Sequence, residues 1–429
     1  MIDTIIKVLK EQQISEYLLQ DLNIETVELF FVKKNLDMRR EENVRICTVT
    51  VYREFEKDGE TCKGQSDFIV EPSATEDEIA EKCKKAYLSS GFVTNPCFAT
   101  PSGEKEAPVT VESDLVHQTL EASAGTMVKA LFAEDVHGDD GDAVLISAEL
   151  FVDKRSSRIV NSKGIDVGYT KYRVNGEFVA QCKEPQDVET YQDFSYDSLN
   201  VDGLKALVKD TLMMTRDRAL AKSAPATGTY DIILSDQYAA ELFSFYKDRG
   251  YGSLIYQHYS DYQVGDFVQG VPEEVTGELL NLDYVPTVPY SIEGISMKTM
   301  PCIRDGVFQN IHAPVRFAQY LGVPATGQYR KISCAPGSVD FDEMKKHPGL
   351  YVVNFSDFQV QVMDGQFGGE IRLAYLNDGQ KITPVTGGSI NGSMFEAQKS
   401  FIFSKEMQDT AKFSGPKAVL LKNVSVAGC

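Results

Sequence analysis

The chain has 429 residues, of which 42% are hydrophobic and 25% charged, so it can bury a sizeable core and is too long for one compact domain. Its 43 basic and 63 acidic residues give a formal net charge of -20, which opposes binding to the phosphates of a nucleic acid. We therefore expect a globular protein of two or three domains that does not contact nucleic acid directly.

The first residues, Met1-Ile2-Asp3-Thr4, contain no basic segment followed by an apolar one, and no segment of the sequence approaches the roughly 20 apolar residues that span a bilayer. Eight cysteines are scattered along the chain without a C-x-x-C pair. A chain of this size does not need disulfides, so reduced thiols are expected. These features predict a soluble cytoplasmic protein that does not bind a membrane.

The first segment predicts an amphipathic helix followed by a strand. Four aliphatic side chains recur on or near one helical face: Ile5, Leu9, Leu18 and Leu22. A strand is then expected at residues 44–52.

A second helix is predicted by the capping box of Thr75 and Glu78, and it ends near Gly91. Residues 95–113 contain three prolines, which break any regular element, so a linker or long loop is expected there. The N-terminal region could therefore be subdivided into two units at this loop.

Strands and one long helix are predicted beyond the loop. The Asn175-Gly176 pair predicts a hairpin turn. Apolar residues at helical spacing from Leu204 to Ala219 predict a helix, which ends before Ser-Ala-Pro-Ala-Thr-Gly at residues 223–228. We take this stretch as the main boundary, so residues 1–222 are predicted to form an N-terminal α+β domain.

Residues 229–429 are predicted to form a β-rich C-terminal domain. They begin with a strand at residues 230–234 and a helix over residues 236–249, and Asn377-Asp378-Gly379 predicts another hairpin. The predicted fold class is α+β, with a mixed α/β N-terminal region followed by the β-rich domain.

Short phrases in a fixed order resemble the TldD/PmbA family. They are Asn161-Ser162-Lys163-Gly164, residues 228–242, Arg304-Asp305-Gly306-Val307, and residues 349–353, 364–371, 384–392 and 420–428. No phrase is specific alone, but chance matches would not arrive in order across roughly 270 residues. The family includes cytoplasmic metallopeptidases and their paralogous partners, and its members are often described as modulators of DNA gyrase.

Catalytic members of this family carry H-E-x-x-x-H on a helix, followed by Gly-Asp. Two histidines and a third ligand would hold zinc with one position open for water, and the glutamate would take a proton from that water. Alignment on Gly265-Asp266 places Tyr256, Gln257 and Asp261 at the positions of the first histidine, the glutamate and the second histidine. No imidazole remains at these positions, and the amide of Gln257 cannot act as a base.

The third zinc ligand of catalytic relatives is a downstream cysteine. Between Cys334 and the last residue, Cys429, this sequence has none. The resemblance therefore implies a member without a zinc cofactor and without catalytic residues.

Other chemistries remain as alternatives. His258 with Asp261 could hold a metal, although a single imidazole is more simply a partly buried or hydrogen-bonded residue. The acidic run at residues 135–142 resembles a calcium loop, but Ile146 stands where a bidentate glutamate is required, so a solvated turn is expected. A nucleophile and its base could come from two thiols and two imidazoles, which lack any local signature: Cys302, Cys334, His312 and His347.

The resemblance implies a PmbA/TldE-like non-catalytic subunit that pairs with a TldD-like zinc metallopeptidase and helps to bind unfolded peptides. We expect a homodimer or heteromer that associates through the C-terminal half. Four glycines could let an extended peptide pair with a sheet edge: Gly368, Gly369, Gly387 and Gly388. The alternatives are an autonomous metallopeptidase with unrecognised ligands and a DNA gyrase modulator that acts by protein binding.

Overall fold

The computed structural model describes residues 1–136 and 142–428. The helices are α1 (Ile2–Glu11), α2 (Glu76–Ser90), α3 (Leu120–Leu131), α4 (Val201–Leu220), α5 (Asp236–Arg249), α6 (Gly252–Tyr256), α7 (Val315–Leu321), α8 (Phe341–Met344) and α9 (Met394–Ala397). No helix in these two ranges is both long and apolar enough to cross a membrane.

The strands outnumber the helices in both halves of the chain. In the N-terminal half they are β1 (Tyr17–Val32), β2 (Asn35–Lys57), β3 (Glu60–Val70), β4 (Val109–Thr110), β5 (Val144–Asn161), β6 (Asp166–Cys182) and β7 (Val188–Tyr196). In the C-terminal half they are β8 (Gly228–Ser235), β9 (Leu282–Val285), β10 (Met300–Arg304), β11 (Val307–Phe308), β12 (Lys331–Cys334), β13 (Gly349–Val360), β14 (Gln366–Asn377), β15 (Ile382–Val385), β16 (Ser389–Ser393), β17 (Ile402–Phe403), β18 (Met407–Asp409), β19 (Phe413–Pro416) and β20 (Ala418–Ala427). The fold class is α+β, as predicted.

The N-terminal sheet has the order β3-β2-β1-β5-β6-β4, and β7 also pairs with β6. Helices α1 and α2 pack over one end of this sheet, around Leu19, and α3 and α4 pack over the other end, around Val27. Leu19 and Val27 are eight residues apart on β1, and side chains alternate between faces along a strand. Both helix pairs therefore cover the same face of the sheet.

Two elements of this half differ from the sequence prediction. Helix α1 ends at Glu11, and Leu18 and Leu22 lie on β1 instead. The Asn175-Gly176 pair is not a turn, because it lies inside β6 and is paired with β5 on one side and β7 on the other. A side chain at Gly176 would meet the Glu149 carbonyl oxygen at 2.1 Å, so this glycine serves close strand packing.

Several other predictions are confirmed. Thr75 and Glu78 form the capping box at the start of α2, with Gly91 as its C-cap. Helix α4 covers the predicted range, and β14 and β15 form the predicted hairpin after Asn377. Residues 95–113 form a long connection with only the two-residue strand β4.

The C-terminal half contains a small closed barrel and a second sheet. Strands β13, β8, β20, β16 and β14 follow one another, and β14 pairs back with β13 to close the barrel. The second sheet has the order β11-β10-β9-β12-β19-β18. Helix α5 contacts both, since Tyr238 packs on β13 and Phe243 stacks on Phe413 of β19. A helix buried against two sheets has few exposed positions, which explains the many large apolar residues of α5.

The long connection also fixes the position of α7. The hydroxyl of Tyr320 donates to the carbonyl oxygen of Pro96 at 2.6 Å, and Gln319 exchanges two hydrogen bonds with the backbone of Ala99. These contacts attach α7 to the long connection.

Candidate functional site

The residues at the family's metal-binding positions do not lie on one continuous helix. Helix α6 ends at Tyr256, Gln257 is its C-cap, and His258 has a left-handed φ of 61°. The helical periodicity that would bring positions 256 and 261 to one face is therefore interrupted.

Tyr256 and Gln257 make structural contacts. The ring centroid of Tyr256 lies 5.0 Å from that of Tyr320 and 5.8 Å from that of Phe317, both on α7. The side-chain amide of Gln257 donates to the hydroxyl of Ser253 at 3.1 Å. Tyr256 therefore packs toward α7.

Asp261 points to a different element and is paired with a buried cation. Nη2 of Arg249, at the end of α5, donates to Oδ1 of Asp261. The Arg249 side chain is 3% exposed and that of Asp261 is 87% exposed. Nη1 of Arg249 also donates to the carbonyl oxygens of Val362 (2.9 Å) and Met363 (3.2 Å).

Three aromatic rings surround the guanidinium of Arg249. Its central carbon lies between 4.8 and 5.5 Å from the ring centroids of Tyr262, Phe395 and Phe245. Cation–π attraction and hydrogen bonds to backbone carbonyls together stabilise a cation that burial would otherwise disfavour. Residues 256–266, which were aligned with the family's metal-binding motif, are called the motif segment below. Arg249 thus links α5, the motif segment and the loop between β13 and β14.

The three positions do not fit a zinc ion. Tyr256 and Asp261 contact separate elements, and Asp261 accepts from the positively charged guanidinium of Arg249. A dication at Asp261 would be repelled by that charge. Within residues 1–136 and 142–428, no group of three or more His, Cys, Asp or Glu side chains could hold a metal ion.

His258 is more exposed than its sequence interpretation implied. Its side chain faces solvent in the turn after α6, where its backbone N–H donates to the carbonyl oxygen of Ile255 at 3.1 Å. The sequence offered a partly buried or a hydrogen-bonded residue, and the first of these is wrong because His258 is exposed. Asp261, its proposed co-ligand, is paired with Arg249.

His312 is a structural histidine. Its Nδ1 accepts from the backbone N–H of Tyr329 at 3.2 Å, so Nε2 carries the proton and donates to the carbonyl oxygen of Lys247 at 2.9 Å. Burial lowers the pKa of His312 to about 3. Burial also raises the pKa of the Cys302 thiol to about 12. A thiol with a raised pKa and an imidazole with both nitrogens bonded to backbone do not make a nucleophile and base.

The remaining thiol and imidazole, Cys334 and His347, lie in different surroundings. Cys334 is buried in β12, and burial raises the pKa of its thiol. His347 instead contacts Oδ2 of Asp231 at 2.7 Å, and Lys422 donates to the same oxygen at 2.8 Å. These contacts connect the barrel strands β8 and β20 to the turn before β13.

Gly368 and Gly369 are inside the barrel wall. They lie on β14, opposite Gln359 and Phe358 of β13 on one side and opposite β16 on the other. The expectation that they lie at a free sheet edge is wrong, because barrel closure pairs this strand on both sides. A side chain at Gly369 would meet the carbonyl oxygen of Asp357 at 2.5 Å, which explains the glycine by strand packing.

Gly387 and Gly388 form the tight connection between β15 and β16. Their φ angles are 91° and 77°, and the backbone N–H of Gly387 donates to the carbonyl oxygen of Ile371 at 2.9 Å. A side chain at Gly388 would meet the carbonyl oxygen of Ala427 at 2.5 Å. Left-handed backbone and close packing both require glycine here. Peptide binding at these two residues stays a prediction.

The calcium-loop alternative falls largely outside the described residues, since positions 137–141 are not among them. Oδ1 of Asp135 accepts from the backbone N–H of Leu145 at 3.4 Å, and its other oxygen pairs with Lys34. Asp135 thus has protein partners at the start of β5.

Sequence reasoning missed Arg249. A weak signal was present, because Arg249 follows Phe245 by one helical turn, at a spacing that places both on one face of α5. Its carbonyl partners, Val362 and Met363, are more than 100 residues away. That contact comes from the tertiary fold and has no local sequence pattern.

Comparison with known proteins identifies the C-terminal half. Residues 227–428 match the PmbA/TldA metallopeptidase C-terminal domain. An uncharacterised protein of Methanocaldococcus jannaschii is 21% identical over 310 residues, which are 65% of this chain and 69% of that protein. A metalloprotease TldD homolog of Haemophilus influenzae is 26% identical over 166 residues, but these cover only 32% of this chain and 34% of that protein.

Solved structures show the same fold over the whole chain. TldE from Thermococcus kodakarensis matches with a TM-score of 0.76 and 15% identity, over 99% of this chain and 100% of that one. A Thermotoga maritima protein proposed as a modulator of a DNA gyrase matches with a TM-score of 0.77 and 15% identity, over 99% of both chains. These results show that the whole chain has the fold of these structures and that its residues 227–428 are similar to the PmbA/TldA metallopeptidase C-terminal domain.

Proposed function

We propose that this chain is a non-catalytic, PmbA/TldE-like subunit that pairs with a TldD-like zinc metallopeptidase and helps it to bind unfolded peptides. The similarity of residues 227–428 to the PmbA/TldA metallopeptidase C-terminal domain supplies the metallopeptidase context. The contact between Arg249 and Asp261 supplies the physical reason for a non-catalytic role, because a permanent cation is hydrogen-bonded at the position of a zinc ligand.

Three large apolar side chains are exposed in the motif segment. Tyr256, Tyr259 and Val264 are all exposed, and all lie within the aligned stretch around the metal positions. Exposed large apolar side chains can contribute to contact with another chain where they form a contiguous patch. We assign this segment to contact with unfolded peptide held between the two subunits.

The test is an assay of peptide cleavage with purified subunits. The TldD-like metallopeptidase of the same organism is incubated with an unfolded fluorogenic peptide, alone and with this chain. We expect the addition to raise kcat/KM by about tenfold or more, which corresponds to ~1.4 kcal/mol of added transition-state stabilisation. The chain alone should neither cleave the peptide nor contain stoichiometric zinc.

Matched variants test the peptide-binding segment. The double substitution Tyr259→Ser and Val264→Ser should reduce the stimulation, whereas Phe92→Ser, at an exposed apolar residue after α2, should not. No complex between the two subunits, or no effect of this chain on cleavage, would contradict the proposal. Cleavage by the chain alone with one equivalent of zinc would favour the autonomous peptidase instead.

A further inference from the structure

The N-terminal sheet has an outer face, opposite the face that helices α1 to α4 cover. At one end of this outer face, Leu18 and Ile159 pack in one cluster with Tyr290 of the C-terminal half. Val32 and Tyr191 lie towards the other end and are 56% and 57% exposed. This other end of the outer face is therefore open to solvent.

Three carboxylates stand side by side at the open end. Glu149 of β5 is directly opposite Glu177 of β6, and Glu177 is directly opposite Asp193 of β7. Directly opposite side chains on adjacent strands share a face, with Cβ atoms about 4.5–5.5 Å apart, and like charges at this distance are destabilising. We call these three residues the acidic row, and the row together with Val32 and Tyr191 the distal face.

No basic side chain of the described residues neutralises the acidic row. Glu149, Glu177 and Asp193 form no ion pair with any lysine, arginine or histidine in residues 1–136 and 142–428. The hydroxyl of Tyr191 donates to Oε2 of Glu177 at 2.7 Å, which adds no positive charge. Burial and the charges of Glu177 and Glu28 raise the pKa of Glu149. The row is thus a place where negative charge is concentrated.

Other acids on the same outer face do have cationic partners. Asp153 accepts hydrogen bonds from Arg155 and Arg173, and Glu28 accepts one from Arg40. The chain therefore supplies arginines to carboxylates one or two residue pairs along the same strands, but none to the acidic row. Repulsion that the chain leaves uncompensated in this way favours a positive charge from another molecule.

The surroundings of the row indicate which kind of cation fits. Exposed Val32 and the ring of Tyr191 flank it, and Phe30, directly opposite Glu149 on β1, packs edge to face on Phe151 with ring centroids 5.6 Å apart. Lysine and arginine side chains combine an apolar stem with a charged head, and an aromatic ring attracts that head. Within the described part of the chain, no group of three or more His, Cys, Asp or Glu side chains could hold a metal ion. The distal face therefore suits basic side chains.

We propose that the distal face binds a basic, extended segment of an unfolded peptide, with lysine or arginine heads at the acidic row and their stems on Val32 and Tyr191. This inference rests on the proposed function, because it names the class of peptide that the subunit holds. Alternate side chains of an extended peptide lie roughly 7 Å apart, and the row spans three strands, or roughly 10 Å. Two basic residues separated by one residue reach the row together.

The first test is fluorescence anisotropy with the purified full chain and no metallopeptidase. Two labelled unfolded peptides share every residue except at alternate positions, which are lysine in one and glutamine in the other. We expect the Kd of the lysine peptide to be lower by about tenfold or more, and this preference to shrink as salt is added. Equal affinity for the two peptides would overturn the proposal.

Matched double variants locate the binding site. Glu149→Gln with Glu177→Gln should raise the Kd of the lysine peptide by about tenfold, and it should also raise the urea midpoint because it relieves repulsion across the strands. Glu60→Gln with Glu104→Gln makes the same charge change at exposed positions outside the row and should leave the Kd unchanged. Equal weakening by both double variants would assign binding to net charge alone and overturn the proposal. Displacement of the lysine peptide by an equal concentration of spermine would also overturn it, in favour of a site for small polycations.

Cleavage assays with the metallopeptidase separate this inference from the proposed function. If the chain stimulates cleavage of the glutamine peptide as strongly as that of the lysine peptide, the proposed function stands and the basic selectivity is wrong. If the lysine peptide binds at the acidic row but its cleavage is not stimulated, the distal face stands and the proposed function is wrong.

Discussion

Arg249 donates a hydrogen bond to Asp261, the residue aligned with the second histidine of the family's metal-binding motif. The aspartate is exposed and the arginine is buried under three aromatic rings. Through the hydrogen bonds of Arg249, the motif segment is connected to α5 and to the loop between β13 and β14. The position that the resemblance assigns to a zinc ligand is thus occupied by an aspartate paired with Arg249.

This arrangement predicts a large difference between two substitutions. Arg249→Met leaves the carbonyl oxygens of Val362 and Met363 without their donor, so we expect the free energy of unfolding to fall by about 2–4 kcal/mol. Asp261→Asn removes the charge of an exposed partner, so the free energy of unfolding should fall by less than about 1 kcal/mol. Urea unfolding of the two variants measures both values. Equal effects would show that the buried hydrogen bonds of Arg249 contribute little.

A second prediction concerns the phrase Asn161-Ser162-Lys163-Gly164, which carries part of the family resemblance. The side-chain oxygen of Asn161 accepts from the backbone N–H groups of Lys163 (2.9 Å) and Ile165 (3.1 Å), which shapes the turn between β5 and β6. Gly164 has a φ of 100°, and a side chain there would meet the Gly103 carbonyl oxygen at 2.5 Å.

Gly164→Ala should therefore destabilise the protein through both strain and a steric clash. Gly265 is a matched control, because its φ is 98° and nothing lies within 4 Å of an added side chain. We expect the free energy of unfolding to fall by about 1 kcal/mol in Gly265→Ala and by at least about 2 kcal/mol in Gly164→Ala, as measured by thermal unfolding. If both substitutions lower the free energy of unfolding equally, the contact with the Gly103 carbonyl oxygen does not constrain the turn.

Local signals in the sequence were sufficient where a single segment decides the structure. The capping box of Thr75 and Glu78 depends on four consecutive residues, and the helix over residues 236–249 has a clear end at Gly250. The Asp58-Gly59 pair was a further signal, since it forms the two-residue turn between β2 and β3 with φ angles of 54° and 82°.

Local signals failed where strand pairing decides. Leu18 and Leu22 are four residues apart, and residues at this spacing share a face in a helix and in a strand alike. Asn175-Gly176 resembles a hairpin turn, but pairing with both β5 and β7 keeps it extended. Barrel closure likewise placed Gly368 and Gly369 between two strands, and no local pattern encodes that closure.

The stability of the protein should depend on pH through His312. Burial holds the pKa of this imidazole at about 3 in the folded chain, below its ordinary value of 6.5. Below pH 6.5 the unfolded chain takes up a proton that the folded chain excludes. The free energy of unfolding should therefore fall as the pH drops from 6.5 towards 3, by up to about 1.4 kcal/mol per pH unit.

Urea unfolding at several pH values between 7 and 5 measures this slope. His312→Gln should reduce it, because glutamine does not titrate, whereas His258→Gln, at an exposed position, should retain it. An unchanged slope in His312→Gln would assign the pH dependence to other groups.

The thiols offer a test of the nucleophile alternative. Burial raises the pKa of Cys302 to about 12, and Cys334 is also buried, so neither should react with iodoacetamide in the folded protein near neutral pH. Cys97 is exposed and should be modified. Mass spectrometry of labelled peptides distinguishes the sites. Rapid labelling of Cys302 at neutral pH would reopen the possibility of a reactive thiol.

The most direct test of the non-catalytic role is restoration of the family motif. Tyr256→His, Gln257→Glu and Asp261→His would supply two imidazoles and a base, but no cysteine lies between Cys334 and Cys429, where the resemblance places the third ligand. Arg249 would also lie beside the new imidazole at position 261. Ligands without orienting partners commonly lose about 10 to 100-fold in affinity or activity.

The measurement is the rate of cleavage of an unfolded peptide by the triple variant with added zinc, compared with the complex of the wild-type chain and its TldD-like partner. We predict no cleavage by the triple variant alone and efficient cleavage by the complex. A triple variant that cleaves at a rate near that of the complex would show that a nearly intact metal site remains, and it would contradict the assignment of this chain as a non-catalytic subunit.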